Sequence, residues 1–298
     1  MKPLTDADIE AERMDKTIAP TDLRDFLESL GWRYIERALR DRRYVFENVS
    51  FPQRQLMFPM DIAAPDYQEA TCRVVQKLSE MTGQSNGSIL SRMGTFRDDV
   101  LRLRVLVEGN DRELPLSFAS LLISSTEKLL RAAAYTALRP QMHHSRLVLS
   151  EAAQFVEHAR FDPTEAGSLV LRVACPINAM EVQSGLPLEA SDTPFVRQVM
   201  LSLQRALSGL ATAIEADRLD DLVHVLKYSQ APLISSNLCE AICAMYDDRI
   251  GNSLDIGFDW SVLHKVDDPM LTRPIRIQHG DFLRVEELRR ELRVVERD

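Results

Sequence analysis

Two adjacent histidines and a nearby glutamate form the densest group of titratable side chains in the sequence. His143 and His144 follow Arg139-Pro140 in a predicted loop, and Glu151 lies at the start of the next predicted helix. A histidine titrates near neutral pH, and beside a carboxylate it can act as a general acid or base or bind a metal ion. We therefore treat His143, His144 and Glu151 as candidate catalytic residues of a hydrolase or nuclease. The alternative is that they have surface or capping roles.

Two further patterns contain residue types that bind divalent metals. Asp255 and Asp259 lie on one face of a predicted strand, where the polar positions of a half-exposed strand also account for them. Cys239 and Cys243 share one face of a predicted helix, and His224 is the nearest third ligand. A structural zinc site needs four such ligands. We therefore predict core packing for the two cysteines and no metal site.

Several familiar signatures of cofactor binding and catalysis are missing. The sequence has no Gly-rich phosphate loop ending in Lys-Ser/Thr, no dinucleotide fingerprint, no His-Glu-x-x-His and no Cys-x-x-Cys. We expect no cofactor, and the pattern favours a protein that is not an enzyme.

Positive charge is concentrated between residues 32 and 54, where the sequence has six arginines and three acidic residues. The arginines are Arg33, Arg37, Arg40, Arg42, Arg43 and Arg54, and the aromatic residues among them are Trp32, Tyr34, Tyr44, Phe46 and Phe51. Guanidinium groups bind phosphates and aromatic rings stack on bases, so this segment is a candidate nucleic-acid surface. In the alternative, the rings form the core of a small domain and the arginines its solvated face.

The segment lies within a predicted small domain, residues 21–95, which follows an acidic, mobile arm over residues 1–20. A helix begins at Thr21 and ends at Gly31, and short runs at 32–35, 43–47 and 55–58 predict a three-stranded antiparallel meander. A second helix begins at Pro65-Asp66 and ends at Gly83. The predicted order of elements is therefore α-β-β-β-α.

This order of elements resembles the small modules of the double-stranded-RNA-binding and HicA-toxin type, and the resemblance implies a sheet covered by two helices. In the HicA type, a catalytic histidine is expected near the start of the second strand. Residues 40–44 read Arg-Asp-Arg-Arg-Tyr at this place. The resemblance therefore implies no ribonuclease activity for this chain.

The rest of the chain is predicted to form two α/β units, residues 96–184 and 185–298. An offset of 85 residues aligns Ser150 with Ser235, Ala159 with Ala244 and Leu169 with Leu254 without a gap. We interpret the two units as a duplication whose helix-strand copies form one larger sheet under the helices. The alternative is two unrelated α/β segments. An amphipathic helix from residue 281 onward is expected to dock on its own sheet or on a partner chain.

Together these elements predict an α+β protein: a small α-β-β-β-α N-terminal domain followed by a duplicated helix-rich α/β body with an antiparallel or mixed sheet. The composition, with 45% hydrophobic and 27% charged residues, is typical of a globular chain. Its formal net charge of −9 opposes general binding to nucleic acid.

We expect a cytoplasmic protein without a membrane span. The four cysteines are too scattered for a disulfide framework, the start of the sequence is acidic, and every long apolar stretch contains polar residues. The favoured function is a non-catalytic accessory subunit of a bacterial multiprotein complex, with a nucleic-acid-directed system such as phage defence or toxin–antitoxin as its setting. Expected partners are another protein or a second copy, and nucleic acid at the arginine-rich segment.

Overall fold

A computed structural model describes residues 18–35, 42–107, 114–162, 170–180, 182, 193–264, 266 and 268–294. The chain divides into two compact units, Met1–Phe96 and Arg97–Asp298. Each unit combines helices with an antiparallel sheet, which confirms the predicted α+β class. The predicted acidic arm lies outside the described residues except for its last three positions.

The N-terminal unit follows the predicted order of elements and adds a third helix. Helix α1 (Pro20–Ser29) is followed by β1 (Arg33–Tyr34), β2 (Arg43–Glu47), β3 (Gln55–Pro59), α2 (Tyr67–Thr82) and α3 (Asn86–Thr95). The strands form the predicted antiparallel meander. Helix α3 is the unpredicted element, since Asn86-Gly87 at its start is typical of a turn. Ser85 caps it by accepting a hydrogen bond from the backbone N–H of Ser88.

Glycines end the first two helices as the sequence predicts. Gly31 and Gly83 have φ angles of +81° and +69°, a left-handed conformation that side chains with a Cβ rarely adopt. The left-handed conformation of these two glycines therefore allows the chain to reverse direction after each helix.

The hydrophobic core of this unit lies between one face of the sheet and the helices. Phe46, Leu56 and Phe58 alternate along β2 and β3 and are fully buried, and α2 contributes Val74 and Leu78. The opposite face of the sheet therefore carries the polar residues of the same strands.

The C-terminal unit is built on five strands and six α-helices in the described residues. In chain order these are β4 (Asp98–Leu106), α4 (Leu116–Leu138), α5 (Ser150–His158), β5 (Arg160–Asp162), β6 (Val170–Pro176), α6 (Phe195–Glu215), α7 (Leu219–Tyr228), α8 (Ser236–Cys243), β7 (Ser253–Asp259), a 3-10 helix (Pro269–Thr272), β8 (Ile275–Ile277) and α9 (Asp281–Val294).

These five strands form one sheet in the order β5-β6-β4-β7-β8, and every neighbouring pair is antiparallel. Strands β6 and β7, one from each predicted copy, lie on either side of β4 and do not pair with each other. A helix precedes each of them at related positions, α5 before β6 and α8 before β7. Both predicted units therefore contribute to one sheet and one core, and the duplication itself stays a prediction.

The two faces of this sheet differ in chemistry. Leu101 and Leu103 of β4 lie on the same face as Val173 of β6 and Ile256 of β7, and all four belong to the hydrophobic core. The opposite face carries Arg102 and Arg172 directly across from each other, with Gly257 on the far side of Arg102. The helices pack against the apolar face.

Helix α9 docks on its own chain, but mainly on helices α8 and α7 instead of the predicted sheet. Its buried residues are Phe282, Val285, Leu288 and Leu292. Its amphipathic stripe is therefore used inside the unit. None of the helices in the described ranges has the length and hydropathy that a membrane span requires.

Candidate functional site

The structure brings the two candidate histidines onto the start of helix α8. His143 Nδ1 lies 2.6 Å from Ser236 Oγ, although the two residues are 93 positions apart in the chain. The backbone N–H of His144 donates to Asn237 Oδ1 at 2.9 Å, and Asn237 Nδ2 donates to the carbonyl of His144 at 3.1 Å. These hydrogen bonds therefore hold the segment after α4 against the first turn of α8.

His144 is buried in this cluster. It is 4% exposed, its ring centroid lies 4.7 Å from that of Tyr135, and its Nε2 lies 3.4 Å from Thr136 Oγ1. Burial, with a smaller contribution from the charge of His143, lowers the pKa of His144 from 6.5 to about 4. His144 is consequently neutral at neutral pH.

Glu151, the third candidate catalytic residue, makes its hydrogen bond elsewhere. Its carboxylate accepts from Ser150 Oγ at 3.0 Å, at the exposed start of α5. The two histidines instead contact hydroxyl and amide groups of α4 and α8, among them Thr136, Ser236 and Asn237. Ser236 is thus the residue that the sequence interpretation missed, and a helix-capping Ser-Ser-Asn run at 235–237 is the signal that marks it.

The paired aspartates of β7 are bound by arginines. Asp255 accepts two hydrogen bonds from Arg276, at 2.6 and 2.9 Å. Asp259 Oδ2 lies 3.2 Å from Arg102 Nε and 3.9 Å from a terminal nitrogen of Arg172. Each carboxylate therefore balances arginine charge on the polar face of the sheet.

Cys239 and Cys243 pack in or against the hydrophobic core, as the sequence predicts. Cys239 is fully buried, and Cys243 Sγ contacts the carbonyl oxygen of Phe282 at 3.8 Å. Burial raises the pKa of Cys239 and raises that of Cys243 to about 12, so both thiols are protonated at neutral pH. No cluster of three metal-ligating side chains occurs among the residues that the structure describes.

The arginines and the aromatic rings of the N-terminal segment lie mostly on opposite sides of their sheet. Trp32 and Phe46 are buried in the core, and the rings of Tyr34, Tyr44, Phe46 and Phe58 contact one another. Arg33 and Arg43 alternate with these residues along β1 and β2. The rings therefore pack against each other within the unit.

The candidate arginines of this segment differ in their surroundings. Arg43 forms an ion pair of 2.7 Å with Asp66, and Arg54 lies 3.9 Å from Glu80. Arg42 has a left-handed backbone with φ of +53°. Arg37 and Arg40 lie outside the described residues.

A buried ion pair at one end of the large sheet was not predicted. Asp99 accepts hydrogen bonds from Arg197 Nε at 2.7 Å and Nη2 at 2.8 Å, and from the backbone N–H of Ser261 at 2.9 Å. Arg197 also donates to the carbonyls of Ser261 and His264, and its guanidinium lies 5.1 Å from the centroid of the Trp260 ring. A charged residue at position 197, among buried apolar neighbours of α6, is the sequence signal for this pair.

The stretch 83–87, Gly-Gln-Ser-Asn-Gly, matches the nucleophile pattern Gly-x-Ser-x-Gly. That pattern requires a strand before the serine and a helix after it. Here Ser85 lies between helices α2 and α3, and its hydroxyl caps α3. The local fold therefore assigns Ser85 a capping role.

An open groove runs along helix α6 in the C-terminal unit, and we call it the α6 groove. Its volume is about 430 Å³, and it is lined by α6 residues between Gln204 and Ala216, by Leu222 and Val225 of α7, and by Met270 of the 3-10 helix. Val225 and Met270 are 62% and 53% exposed. This groove combines apolar walls with free access to solvent.

Comparison with known proteins identifies no relative: no family model, curated protein or solved structure matches this chain.

Proposed function

We propose that the chain is a non-catalytic interaction subunit that binds an amphipathic helix of a partner protein in the α6 groove. The single observation that supports this function is the groove itself, an apolar channel between two helices that is open to solvent. Grooves of this kind hold the apolar face of a helix in many complexes. The accessory role predicted from the sequence is consistent with such a surface.

Most of the α6 residues that line the groove are small. They are Ser208, Gly209, Thr212 and Ala213, with Ala216 at the helix cap, and the larger Gln204 and Arg205 lie at the start of this lining in the chain. The lining positions run over 13 residues, from Gln204 of α6 to Ala216 at its C-terminal cap, which corresponds to about 18 Å or about three helical turns. This length accommodates a partner helix of about 12 residues.

The edges of the groove have the composition of a protein interface. The exposed side chains of Val225 and Met270 line the groove, and so do charged residues of both signs, including Arg218 and Asp221. An apolar centre with a polar rim is the usual arrangement of a binding surface. The groove volume of about 430 Å³ is also within the range of pockets that bind ligands.

Gly209→Phe tests the proposal directly. A Cβ at Gly209 meets no other atom within 4 Å, so the phenyl group can enter the groove without straining the helix. Leu283→Ser is the matched control, because Leu283 is 72% exposed on α9 and is not a lining residue of the groove. Partners retained by the tagged chain in its native host are identified, and the affinity of each purified partner is then measured with both variants.

We expect a partner that binds the parent chain and the Leu283→Ser variant equally and binds the Gly209→Phe variant about tenfold more weakly or worse. Equal binding by all three chains contradicts the proposal. A monomeric chain that retains no partner also contradicts it.

The setting in nucleic-acid-directed defence stays a prediction of the sequence. Its support is Arg33 on the outer side of the small sheet, where a guanidinium group can reach phosphates, whereas Arg43 on the same face is paired with Asp66. The predicted cytoplasmic location is likewise part of this proposal.

One observation favours a second function, a hydrolase with Ser236 as nucleophile. A hydroxyl 2.6 Å from a histidine ring nitrogen can transfer its proton to that nitrogen, and because Ser236 is 2% exposed, attack on a carbonyl also requires the start of α8 to open. A fluorophosphonate probe tests this function, with Ser236→Ala as the variant and Ser253→Ala as the control. Labelling that is lost only in Ser236→Ala supports the hydrolase, whereas an unlabelled parent chain eliminates it.

A further inference from the structure

The connection between α4 and α5, residues 139–149, lies against the first turn of α8, and we call it the α4–α5 strap. Hydrogen bonds at three consecutive residues hold it there. The carbonyl of Met142 accepts from the backbone N–H of Ser236 at 2.7 Å, and His143 Nδ1 lies 2.6 Å from Ser236 Oγ. The backbone N–H and carbonyl of His144 both bond to the side-chain amide of Asn237.

The rest of the α4–α5 strap is only lightly packed. Met142, Leu147 and Leu149 are partly buried against the core of the C-terminal unit, whereas Arg146 and Val148 are exposed. A short connection with few buried side chains can open locally while the helices and strands around it stay folded.

The ring of His144 lies among these contacts and is enclosed by uncharged groups. It is 4% exposed and contacts the ring of Tyr135 and the hydroxyl of Thr136, which also donates to Ser235 Oγ at 3.4 Å. The titratable groups that face it are Tyr135 on α4 and His143 on the strap itself, and α8 contributes hydroxyl and amide groups. A protonated His144 is therefore a buried cation beside a second histidine, and the described groups that contact it include no carboxylate.

We propose that the α4–α5 strap is an acid-sensitive switch, which releases the first turn of α8 when His144 binds a proton from the solvent. The closed strap disfavours the protonated ring, whereas the open strap places the ring in water, where a histidine binds a proton freely. Opening uncovers Ser236, which is 2% exposed when the strap is closed. The strap contributes no residue to the lining of the α6 groove, so the switch does not depend on the proposed interaction surface.

The pKa of His144 sets the size of the effect. Burial lowers this pKa to about 4 in the closed strap, and an exposed histidine has a pKa of about 6.5. Because the open form binds the proton more tightly, the equilibrium constant for opening should rise about 20-fold between pH 7 and pH 5. The increase begins as the pH falls through 6.5 and is complete below pH 4.

Hydrogen exchange of individual backbone amides in the full-length chain tests the switch. The amides of His144 and Ser236 report on the strap, and the amide of Leu103 in the central strand β4 reports on the unit as a whole. After correction for intrinsic exchange rates, we expect the two strap amides to exchange through an opening that low urea concentrations barely change. This opening should be about 20-fold more populated at pH 5 than at pH 7, whereas exchange at Leu103 should depend strongly on urea.

Two variants separate the proton from the hydrogen bonds. His144→Gln should remove the pH effect on the strap amides, and His279→Gln, at an exposed position, should retain it. Asn237→Ala removes both hydrogen bonds to the backbone of His144, so opening should be about tenfold more populated at pH 7 and at pH 5, with an unchanged ratio between them.

Three results would overturn the proposal. The first is exchange of the His144 and Ser236 amides with the same protection and urea dependence as the amide of Leu103, which means that the strap opens only with the whole unit. The second is an opening in the parent chain that is equally populated at pH 7 and pH 5. The third is a pH effect that persists in His144→Gln.

Discussion

Arg197 and Asp99 join three segments of the C-terminal unit through a buried, hydrogen-bonded ion pair. The ion pair joins the first residues of β4 and α6 to the turn after β7, and its side chains are 3% and 0% exposed. Each oxygen of Asp99 accepts at least one hydrogen bond, and Arg197 also donates to two carbonyls. A buried pair with this geometry stabilises the fold only as long as both charges are present.

Arg197→Met should therefore destabilise the C-terminal unit strongly. It leaves the carboxylate of Asp99 buried without its cation, and we expect a loss of about 3–5 kcal/mol in the free energy of unfolding. Urea titration followed by Trp260 fluorescence measures this loss, because Trp260 stacks near Arg197 in the same unit. Adding Asp99→Asn should recover part of the stability, because the uncompensated charge is then removed.

The exposed ion pair between Arg276 and Asp255 provides the control for this prediction. Arg276→Met should change the free energy of unfolding much less than Arg197→Met. Equal losses for the two variants would show that the buried position of Arg197 has no special role.

His144 should make stability depend on pH in a defined window. Because burial lowers the folded-state pKa from 6.5 to about 4, the unfolded chain binds a proton that the folded chain does not between these values. The contribution is complete above about pH 6.5 and is lost as the pH falls towards 4, by at most about 3 kcal/mol.

His144→Gln is the variant that measures this contribution. The difference in unfolding free energy between the parent chain and His144→Gln should decrease steadily from pH 6.5 to pH 4. His279→Gln, at an exposed position, is the control. A difference that is constant across this window would contradict a neutral His144 in the folded state.

At the scale of elements, helix α2 ends at a glycine with a left-handed backbone conformation. Gly83 has φ of +69°, and a Cβ there meets no atom within 4 Å, so any cost of Gly83→Ala comes from the backbone conformation. We expect a loss of about 1 kcal/mol. Gly94→Ala in helix α3 also has open space for its Cβ, and we expect it to be neutral or to stabilise by up to about 1 kcal/mol.

Thermal or urea unfolding followed by Trp32 fluorescence compares these two variants in the same unit. A shift of both midpoints in the same direction would contradict the assignment of Gly83 as a left-handed helix end.

The elements themselves follow well from local sequence. The meander between residues 32 and 59 and the helices that end at Gly31 and Gly83 result from nearby apolar spacing and turn residues, which the sequence displays directly. Helix α3 does not, because a Ser85 cap and packing onto the core compensate for a start that is typical of a turn. The local sequence pattern thus determines whether a segment forms a helix or a strand, unless tertiary contacts favour another structure.

At the scale of the whole molecule, strand pairing and the candidate functional sites depend on residues that are far apart in the chain. The sequence alone therefore predicts little of either. Strand β4 separates β6 from β7 in the sheet, and it precedes both of the predicted helix-strand copies in the chain. Ser236 meets His143 across 93 positions, and the α6 groove combines α6 and α7 with the 3-10 helix. The histidines were recognisable by residue type, whereas their partners required the fold.

The two units also have separate hydrophobic cores, so each tryptophan reports on one of them. Trp32 belongs to the core of the N-terminal unit, and Trp260 packs against that of the C-terminal unit. When the other tryptophan is replaced by phenylalanine, the fluorescence of the remaining one assigns a stability change to the unit that contains it.

The central position of β4 has a consequence for synthesis on the ribosome. Leu101 pairs with Val173 on one side and with Phe258 on the other, so its second neighbour is made 157 residues later. At ordinary elongation rates this delay lasts roughly 8–30 s. Throughout it the nascent β4 has an unsatisfied edge, which is a template for aggregation. The strand contains the charged residues Asp98, Arg102 and Arg104, and we expect them to reduce aggregation through this edge until β7 is made.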